Sequence, residues 1–345
     1  TASSQLLEVE DLQTHFFTRR GVVRAVNGVS FSLMPGETLG LVGESGSGKT
    51  ITCLSLLRLL PRGARIVGGK VLFNGQNTLD LSEKEMERLR GIRMGMILQN
   101  SMAALDPVFS IGTQIAEPLV VHSGLNWRAA IERSIDLLRM VKITAPHLRV
   151  RNYPHEMSGG MRQRASSAAS IGPHPDLLIA DEPTTALDVS IRSQVLNLLK
   201  DIQAERGISY ILISHDLAPV EHMSHVIGVM YLGKLVELGD AELTCSEPQH
   251  PYTASLVAAA TPPGTTPAWP IPIVGEVPSA LETPSGCSFH PRCAYAMPIC
   301  SQEVPSLAPT EDGRMVSCHL YPDEIKKIDK RAPIQVAQGI SAASS

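Results

Sequence analysis

The chain has 345 residues, of which 43% are hydrophobic and 4% aromatic, with a net charge of −4. That length suits a large α/β domain with a smaller companion. The few aromatics and the acidic balance argue against a stacking platform or a basic track for nucleic acid. No apolar run approaches the ~20 residues that span a bilayer, and Thr1 to Asp11 carries no basic-then-apolar leader, so a cytosolic protein with reduced thiols is expected.

Taken in order, residues 7–42 read as short strands: Leu7–Val9, Val22–Val26, Val29–Leu33 and Thr38–Val42, with Pro35-Gly36 turning into the last. The run Thr38–Val42 feeds Gly43-Glu44-Ser45-Gly46-Ser47-Gly48-Lys49-Thr50, and the helix-compatible stretch Ile51–Leu60 leaves it. Strand, glycine loop and helix in that order mark a phosphate-binding loop. Its glycines let the backbone curl so that successive N–H groups and the helix start point at an anion. Lys49 is expected to reach the β- and γ-phosphates, and Thr50 to place its hydroxyl on Mg²⁺. A nucleoside triphosphate is therefore the expected ligand.

Further along, Val71–Phe73 followed by Asn74-Gly75 is a hairpin signal, and Met94–Leu98 is a short apolar strand. Ile111–Met140 has helical spacing interrupted at Pro118, and Met161–Ser170 continues helically from a Ser-Gly-Gly start. Leu177–Ala180 is a short buried strand ending in Asp181 and Glu182. Tyr210–Ser214 is a second, ending in His215, and Val189–Arg206 between them reads as a crossover helix. Strand, helix, strand with short links predicts a parallel sheet. A carboxylate at the end of such a strand, beside a phosphate loop, is where Mg²⁺ takes an oxygen ligand. Its neighbour Glu182 is placed to orient and deprotonate water. Between Thr261 and Pro284 there are seven prolines, which predicts a semi-extended connector. Residues 331–345 are read as a disordered tail.

The string Met157-Ser158-Gly159-Gly160-Met161-Arg162-Gln163 precedes those strands, and with it the chain resembles an ATP-binding cassette (ABC) ATPase. The resemblance implies that Ser158, Gly159 and Gly160 cap the γ-phosphate of a nucleotide held by an opposing cassette. The remaining cassette motifs stand in order: Gln99 after the strand Met94–Leu98, Ala186-Leu187-Asp188 after Glu182, and His215 after Tyr210–Ser214. By the same resemblance Glu182, His215, Gln99 and Lys49 are catalytic, and Thr50, Gln99 and Asp181 face Mg²⁺. Asp188 serves the nucleotide interface, and Phe16 or its neighbour Phe17 stacks on adenine. The expected fold is an α/β P-loop cassette core with an antiparallel β subdomain and a helical subdomain at about 100–165. The cassette is placed at 1–245 and a C-terminal extension at 246–330.

Outside these motifs, Gln99-Asn100-Ser101-Met102-Ala103-Ala104-Leu105-Asp106-Pro107, Tyr153-Pro154-His155-Glu156 and His250-Pro251-Tyr252-Thr253 resemble the dipeptide/oligopeptide (and nickel) importer ATPases. That likeness runs from roughly residue 5 to 325. The chain departs from it at Asn100 and Ser101, where an acid and a proline are usual, at Ala294, and in the small, polar stretch Ala165–Gly172, while Met157 departs from the wider cassette signature, which often has Leu there. It implies ATP-driven import of peptides, or of nickel, glutathione or an oligosaccharide. A second cassette, the same chain or a different one, two membrane permease subunits and, indirectly, a substrate-binding protein would be the partners, at the cytoplasmic face of a bacterial inner membrane. A soluble cassette acting on DNA or ribosomes would carry tandem cassettes, long arms or basic tails, and none is seen.

Four cysteines close the sequence: Cys287-x5-Cys293-x6-Cys300-x17-Cys318. Four thiols so close together in a reducing compartment point to metal rather than disulfides. Their spacing lacks the paired Cys-x2-Cys of zinc ribbons and common ferredoxins, so it does not choose between zinc and iron–sulfur. His290 and His319 are alternative ligands, and four plain reduced thiols are the simplest alternative. The importer resemblance implies a [4Fe-4S] cluster on these cysteines in a small Cys-rich extension.

Overall fold

The computed structural model describes residues 5–99, 104–184, 187, 189–260 and 275–321. Two sheets organise it. Strands β1 (Leu7–Thr18), β2 (Gly21–Leu33), β4 (Ala64–Phe73) and β5 (Gln76–Asn77) form an antiparallel sheet in the order β2-β1-β4-β5. The hairpin read at Asn74-Gly75 is the β4–β5 turn, with Asn74 at φ 50°. The two strands expected at 22–26 and 29–33 are one: β2 runs unbroken, because β1 extends to Thr18 and pairs with it from Leu7↔Leu33 to Thr18↔Gly21, with register shifts on the way.

The second sheet has the order β11-β12-β10-β9-β3-β8-β7-β6, from β3 (Thr38–Val42), β6 (Met94–Ile97), β7 (Leu177–Asp181), β8 (Ser209–Ser214), β9 (Val226–Tyr231), β10 (Lys234–Asp240), β11 (Ala308–Pro309) and β12 (Met315–Val316). The run β9-β3-β8-β7-β6 is parallel. Residues of β3 and β7 are buried throughout, as a sheet covered on both faces requires. Side chains alternate between two cores: Leu39, Leu41, Leu177, Ile179, Ile211 and Ile213 pack toward the antiparallel sheet, while Val42, Leu178, Ala180, Tyr210 and Leu212 pack toward the helices.

Helix α1 (Lys49–Leu56) follows β3, and α2 (Glu83–Leu89) opens on a capping box of Ser82 and Glu85. The stretch expected to be helical at 111–140 is two helices, α3 (Ile111–Ser123) and α4 (Trp127–Met140). Gly124, at φ 67°, ends α3, and Asn126 caps α4 by accepting from Ala129 N–H. Pro118 lies inside α3 without ending it. Helix α5 (Gly159–Ile171) packs on both and starts at Ser158. The crossover expected at 189–206 is α6 (Val189–Arg206). Shorter helices follow later in the chain, α7 (Leu217–Met223), α8 (Ala241–Ser246) and α9 (Pro251–Ala260), besides a single turn at Pro146–Arg149. Most of the proline-rich run, residues 261–274, and the tail from 322 lie outside the described residues.

Register fixes where function can sit. Val42 pairs with Ser214 across β3–β8, and Asp181 pairs with Ile213 across β7–β8. The carboxyl ends of the three strands are therefore level, and the residues after each strand emerge at one edge, the usual binding edge of an open α/β sheet. Among the described residues no helix is long and apolar enough to cross a membrane.

Candidate nucleotide site

The loop after β3 is built on backbone that only glycine tolerates. Gly43 stands at φ 148° and Gly48 at φ 104°. A Cβ on Gly43 would lie 2.2 Å from the Met230 carbonyl, and one on Gly48 would lie 2.3 Å from the Ala25 carbonyl, so both are held against neighbouring chain. Ser45 and Gly46 face solvent, and a Cβ on Gly46 would meet nothing within 4 Å. That open lip is where a phosphate would be cradled.

Lys49, the first residue of α1, is 6% exposed. Its ammonium donates to the carbonyls of Gly43 at 2.7 Å and Glu44 at 3.0 Å, which arches the lysine back over its own loop. Burial lowers its pKa, and the carboxylates of Glu182, Asp181 and Glu44 oppose that. Thr50 donates its hydroxyl to Asp181 Oδ1 at 3.2 Å. Burial raises the Asp181 pKa, the Thr50 hydroxyl and Lys49 pull it down, and Glu182 pushes it up. A cation beside Thr50 and Asp181 would relieve both the burial and the carboxylate repulsion, so these two side chains fit a hard divalent ion with oxygen ligands.

Glu182 is the hub. It sits at φ 45°, a left-handed conformation rare for a side-chain-bearing residue, and its N–H donates to Ile213 O at 3.0 Å. One carboxylate oxygen accepts from Gln99 Nε2 at 2.8 Å, and the other lies 3.1 Å from His215 Nδ1. Asp216, next to His215, caps α7 and pairs with Arg192 of α6 at 2.9 Å. The structure thus brings Lys49, Thr50, Asp181, Glu182, Gln99 and His215 to one edge.

It does not bring the Ser-Gly-Gly string there. Ser158 caps α5 by accepting from Met161 N–H at 3.3 Å, and its side chain is exposed. Among the described residues no hydrogen bond joins Ser158, Gly159 or Gly160 to Gly43–Thr50. A Cβ on Gly160 would come 2.7 Å from Ile191 Cγ2, so α6 is packed directly beneath this turn. Asp188 and Ala186 lie outside the described residues. Phe16 is half-buried on β1, whereas Phe17 is half-exposed with the Arg65 guanidinium 5.8 Å from its ring centre. Thr14 Oγ1 and Ser55 Oγ, 2.8 Å apart, hold this strand beside α1.

Two partners of the loop were not legible from motifs. The Glu44 N–H donates to Tyr252 Oη at 2.8 Å. The Glu44 carboxylate accepts twice from Arg292, at 2.6 and 3.0 Å. Both lie more than 200 positions away in sequence; Tyr252 stands in the string His250–Thr253, but nothing local to it or to Arg292 announces a contact with this loop.

The C-terminal cysteines lie together. Cys287 N–H donates to Cys300 O at 2.8 Å, and Cys318 lies near enough to Cys293, Cys287 and Cys300 for ionising one thiol to oppose ionising another. Burial, with the neighbouring thiols adding, pushes Cys293 and Cys318 up to about 12. Such thiols ionise only if a cation stands among them, so the donor chemistry suits a soft metal. The arrangement is looser than a metal site: among the described residues no group of three or more His, Cys, Asp or Glu side chains is placed to hold an ion. The alternative ligands are also engaged elsewhere. His290 Nδ1 is 2.9 Å from Cys287 O, and His319 Nε2 is 2.9 Å from Glu303 O.

The family model described as ABC transporter matches residues 26–185, and that of the oligopeptide/dipeptide transporter C-terminal region matches residues 236–300. A Sinorhizobium fredii protein named as a probable peptide ABC transporter ATP-binding protein, y4tR, is 45% identical over 91% of this chain and 94% of its own length. The Escherichia coli dipeptide transport ATP-binding protein DppD is 43% identical over 92% and 97%. A dimeric ATP-binding cassette solved with ADP and phosphate, MJ0796, shares the fold at TM-score 0.62 with 22% identity, covering 68% of this chain and 98% of that one. The cbiO1 cassette of Clostridium perfringens superposes at TM-score 0.61 with 25% identity, over 71% and 92%.

Proposed function

The chain belongs to the ABC transporter family, as one of its ATP-binding subunits, and from that premise we propose that it hydrolyses ATP to drive import of peptides or similar small solutes. The observation that carries the reading is Glu182 held between Gln99 and His215 beside Lys49, Thr50 and Asp181. A chain that only bound nucleotide would not need a carboxylate gripped from both sides where water must attack.

Each side chain has a step. Lys49 binds the β- and γ-phosphates and exchanges its two carbonyl partners for them. Thr50 and Asp181 would hold Mg²⁺, with Gln99 toward the same ion, and when bound it would supply positive charge against the phosphoryl oxygens. Glu182 orients water and takes its proton, and His215 fixes the Glu182 carboxylate while reaching toward the γ-phosphate. Ser158, Gly159 and Gly160 stand apart from this loop and serve a nucleotide on an opposing cassette, where the start of α5 presents N–H groups to an anion. Two cassettes are then required, and their closure over ATP would move two permease subunits between access states. Asp188 belongs to that interface and Phe16 or Phe17 to adenine, both carried by the family resemblance.

We place the cassette at 1–245 and the extension at 246–330, at the cytoplasmic face of a bacterial inner membrane. The peptide cargo is supported by the names of the relatives; nickel, glutathione or an oligosaccharide would leave this chain's chemistry unchanged. A [4Fe-4S] cluster, or Zn²⁺, on Cys287, Cys293, Cys300 and Cys318 is supported by the gathered thiols and opposed by their loose arrangement. Iron, sulfide and zinc analysis of protein prepared without oxygen decides it.

Isolation of the tagged chain from native membranes in mild detergent tests the transport reading. Two multi-spanning permeases and a second cassette should accompany it, and labelled dipeptide uptake should vanish with Lys49→Ala. Recovery of ribosomal or DNA-repair proteins without a permease would overturn import and leave the ATPase.

A further inference from the structure

The segment containing Arg292 reaches back to the phosphate loop, and the contact is more specific than docking requires. The Arg292 side chain is 5% exposed. Its two terminal nitrogens meet the two carboxylate oxygens of Glu44 at 2.6 and 3.0 Å, the fork geometry that fixes a carboxylate in one orientation. The guanidinium lies 5.8 Å from the centre of the Tyr231 ring and 3.4 Å from its hydroxyl. Tyr231, Tyr252 and Phe289 pack against one another with ring centres 4.8–5.3 Å apart, so the guanidinium has little room to leave. Tyr252 takes the Glu44 N–H from the other side.

Glu44 is the second residue of a loop that must accept a polyanion, and its own negative charge opposes that. Its carbonyl also holds Lys49 at 3.0 Å. We propose that Arg292 is a positioning residue for ATP binding: it neutralises Glu44, draws that carboxylate away from the phosphate cradle, and sets the backbone that presents N–H groups to the ligand. The C-terminal extension is thereby a working part of the nucleotide site. The proposal rests on the nucleotide reading above and adds a requirement to it.

Charge gives the role a signature that simple docking lacks. Removing Arg292 alone strands a carboxylate beside incoming phosphates, so Arg292→Met should weaken Mg-ATP binding to the full chain by about tenfold, within the usual range for coupled sites. Removing the stranded charge as well, in Arg292→Met with Glu44→Gln, should recover most of that loss. Arg292→Lys keeps the charge without the fork and should fall between. Kd is read by equilibrium titration with a fluorescent ATP analogue, with turnover of the assembled complex showing the change in KM rather than kcat. If Arg292→Met unfolds the extension, Arg292→Lys still reports. A Kd within twofold of the wild type in Arg292→Met or, failing that, Arg292→Lys, or a double variant no tighter than the single, would overturn the proposal. Lys49→Ala separates the two failures: wild-type chain that binds no Mg-ATP sinks the nucleotide reading itself, whereas binding that needs Lys49 but ignores Arg292 sinks only this inference.

Discussion

His215 Nδ1 lies 3.1 Å from Glu182 Oε1, joining the residues just past two adjacent parallel strands. The contact exists because Asp181 and Ile213 are in register across those strands and because Glu182 turns through φ 45° immediately after its strand. With Gln99 on the second oxygen, the carboxylate has a single orientation. A positioned base is worth its alignment more than its strength.

Glu182→Gln should therefore keep nucleotide affinity and lose turnover in the assembled transporter, by roughly 10²–10⁴-fold for a general base. His215→Ala removes one of the two holds and should cost turnover as well, with Kd for ATP little changed. Both are read as phosphate release and as equilibrium binding on the same preparations. Near-normal turnover in Glu182→Gln would remove it from the chemistry.

The Thr50–Asp181 contact predicts where magnesium acts. Asp181 is buried and its carboxyl is pushed up by that burial, so a metal ion that favours its ionised form should bind cooperatively with nucleotide. Asp181→Asn should retain weak metal-free ATP binding and lose most of the enhancement that Mg²⁺ brings. Titrations with and without EDTA measure it; an unchanged magnesium effect would place the ion elsewhere.

Much of this site was legible because its residues hang on strand ends. Thr38–Val42, Leu177–Asp181 and Ser209–Ser214 are apolar runs bounded by loop signals, and parallel register then levels their ends whatever the intervening helices do. Boundaries were less legible. The run at 22–33 looks like two strands because Asn27 and Gly28 interrupt its apolar pattern, yet pairing with β1 carries the chain through. Pro118 looks like a helix end, but Gly124 is the stop, since a left-handed glycine ends a helix that a proline within it had not. The eight-stranded sheet is extended at one side by β10 and the short β12, paired Glu237↔Val316, and β12 lies far downstream in the sequence. Long-range pairs of this kind, like Arg292 with Glu44, leave no periodicity to read.

That seam makes a stability prediction. Glu237 is fully buried and Arg314 nearly so; they pair at 3.2 Å, and Arg314 also donates to the carbonyls of Leu243 and Glu247. Arg314 also pairs with Asp312 at 2.6 Å, so removing Arg314 leaves the buried Glu237 carboxylate without its cation, with the Gln249 and His250 N–H groups still donating to it; breaking a buried pair this way costs about 3–5 kcal/mol. Arg314→Met should destabilise the fold by an amount in that range, read as a lower urea midpoint, and adding Glu237→Gln should return part of it. A midpoint unchanged in the single variant would mean that the pairing of these charges does not hold the seam.

Acid should loosen the same region through His250. It is fully buried beside Phe289, accepts from Tyr252 N–H at 3.0 Å through Nδ1, and burial lowers its pKa to about 3. The sign comes from proton counting. Above the unfolded value near 6.5 the ring is neutral in both states, and the stability it carries is fully present. As pH falls below that, the unfolded chain binds a proton that the native one refuses, and stability drops toward pH 3 by at most about 1.4 kcal/mol per pH unit. Neighbouring Glu237 opposes this, because burial raises its pKa and the native state then binds its proton first. Comparing variants isolates the histidine. His250→Asn can still accept from Tyr252 N–H but cannot titrate, so it should be less stable than wild type at pH 7 through lost packing and should decline less steeply between pH 6 and 4. Unfolding midpoints across that window give the slopes. Parallel slopes for the two proteins would show that His250 takes up its proton as readily in the folded chain as in the unfolded one, and the buried seam would then owe its acid sensitivity to another group.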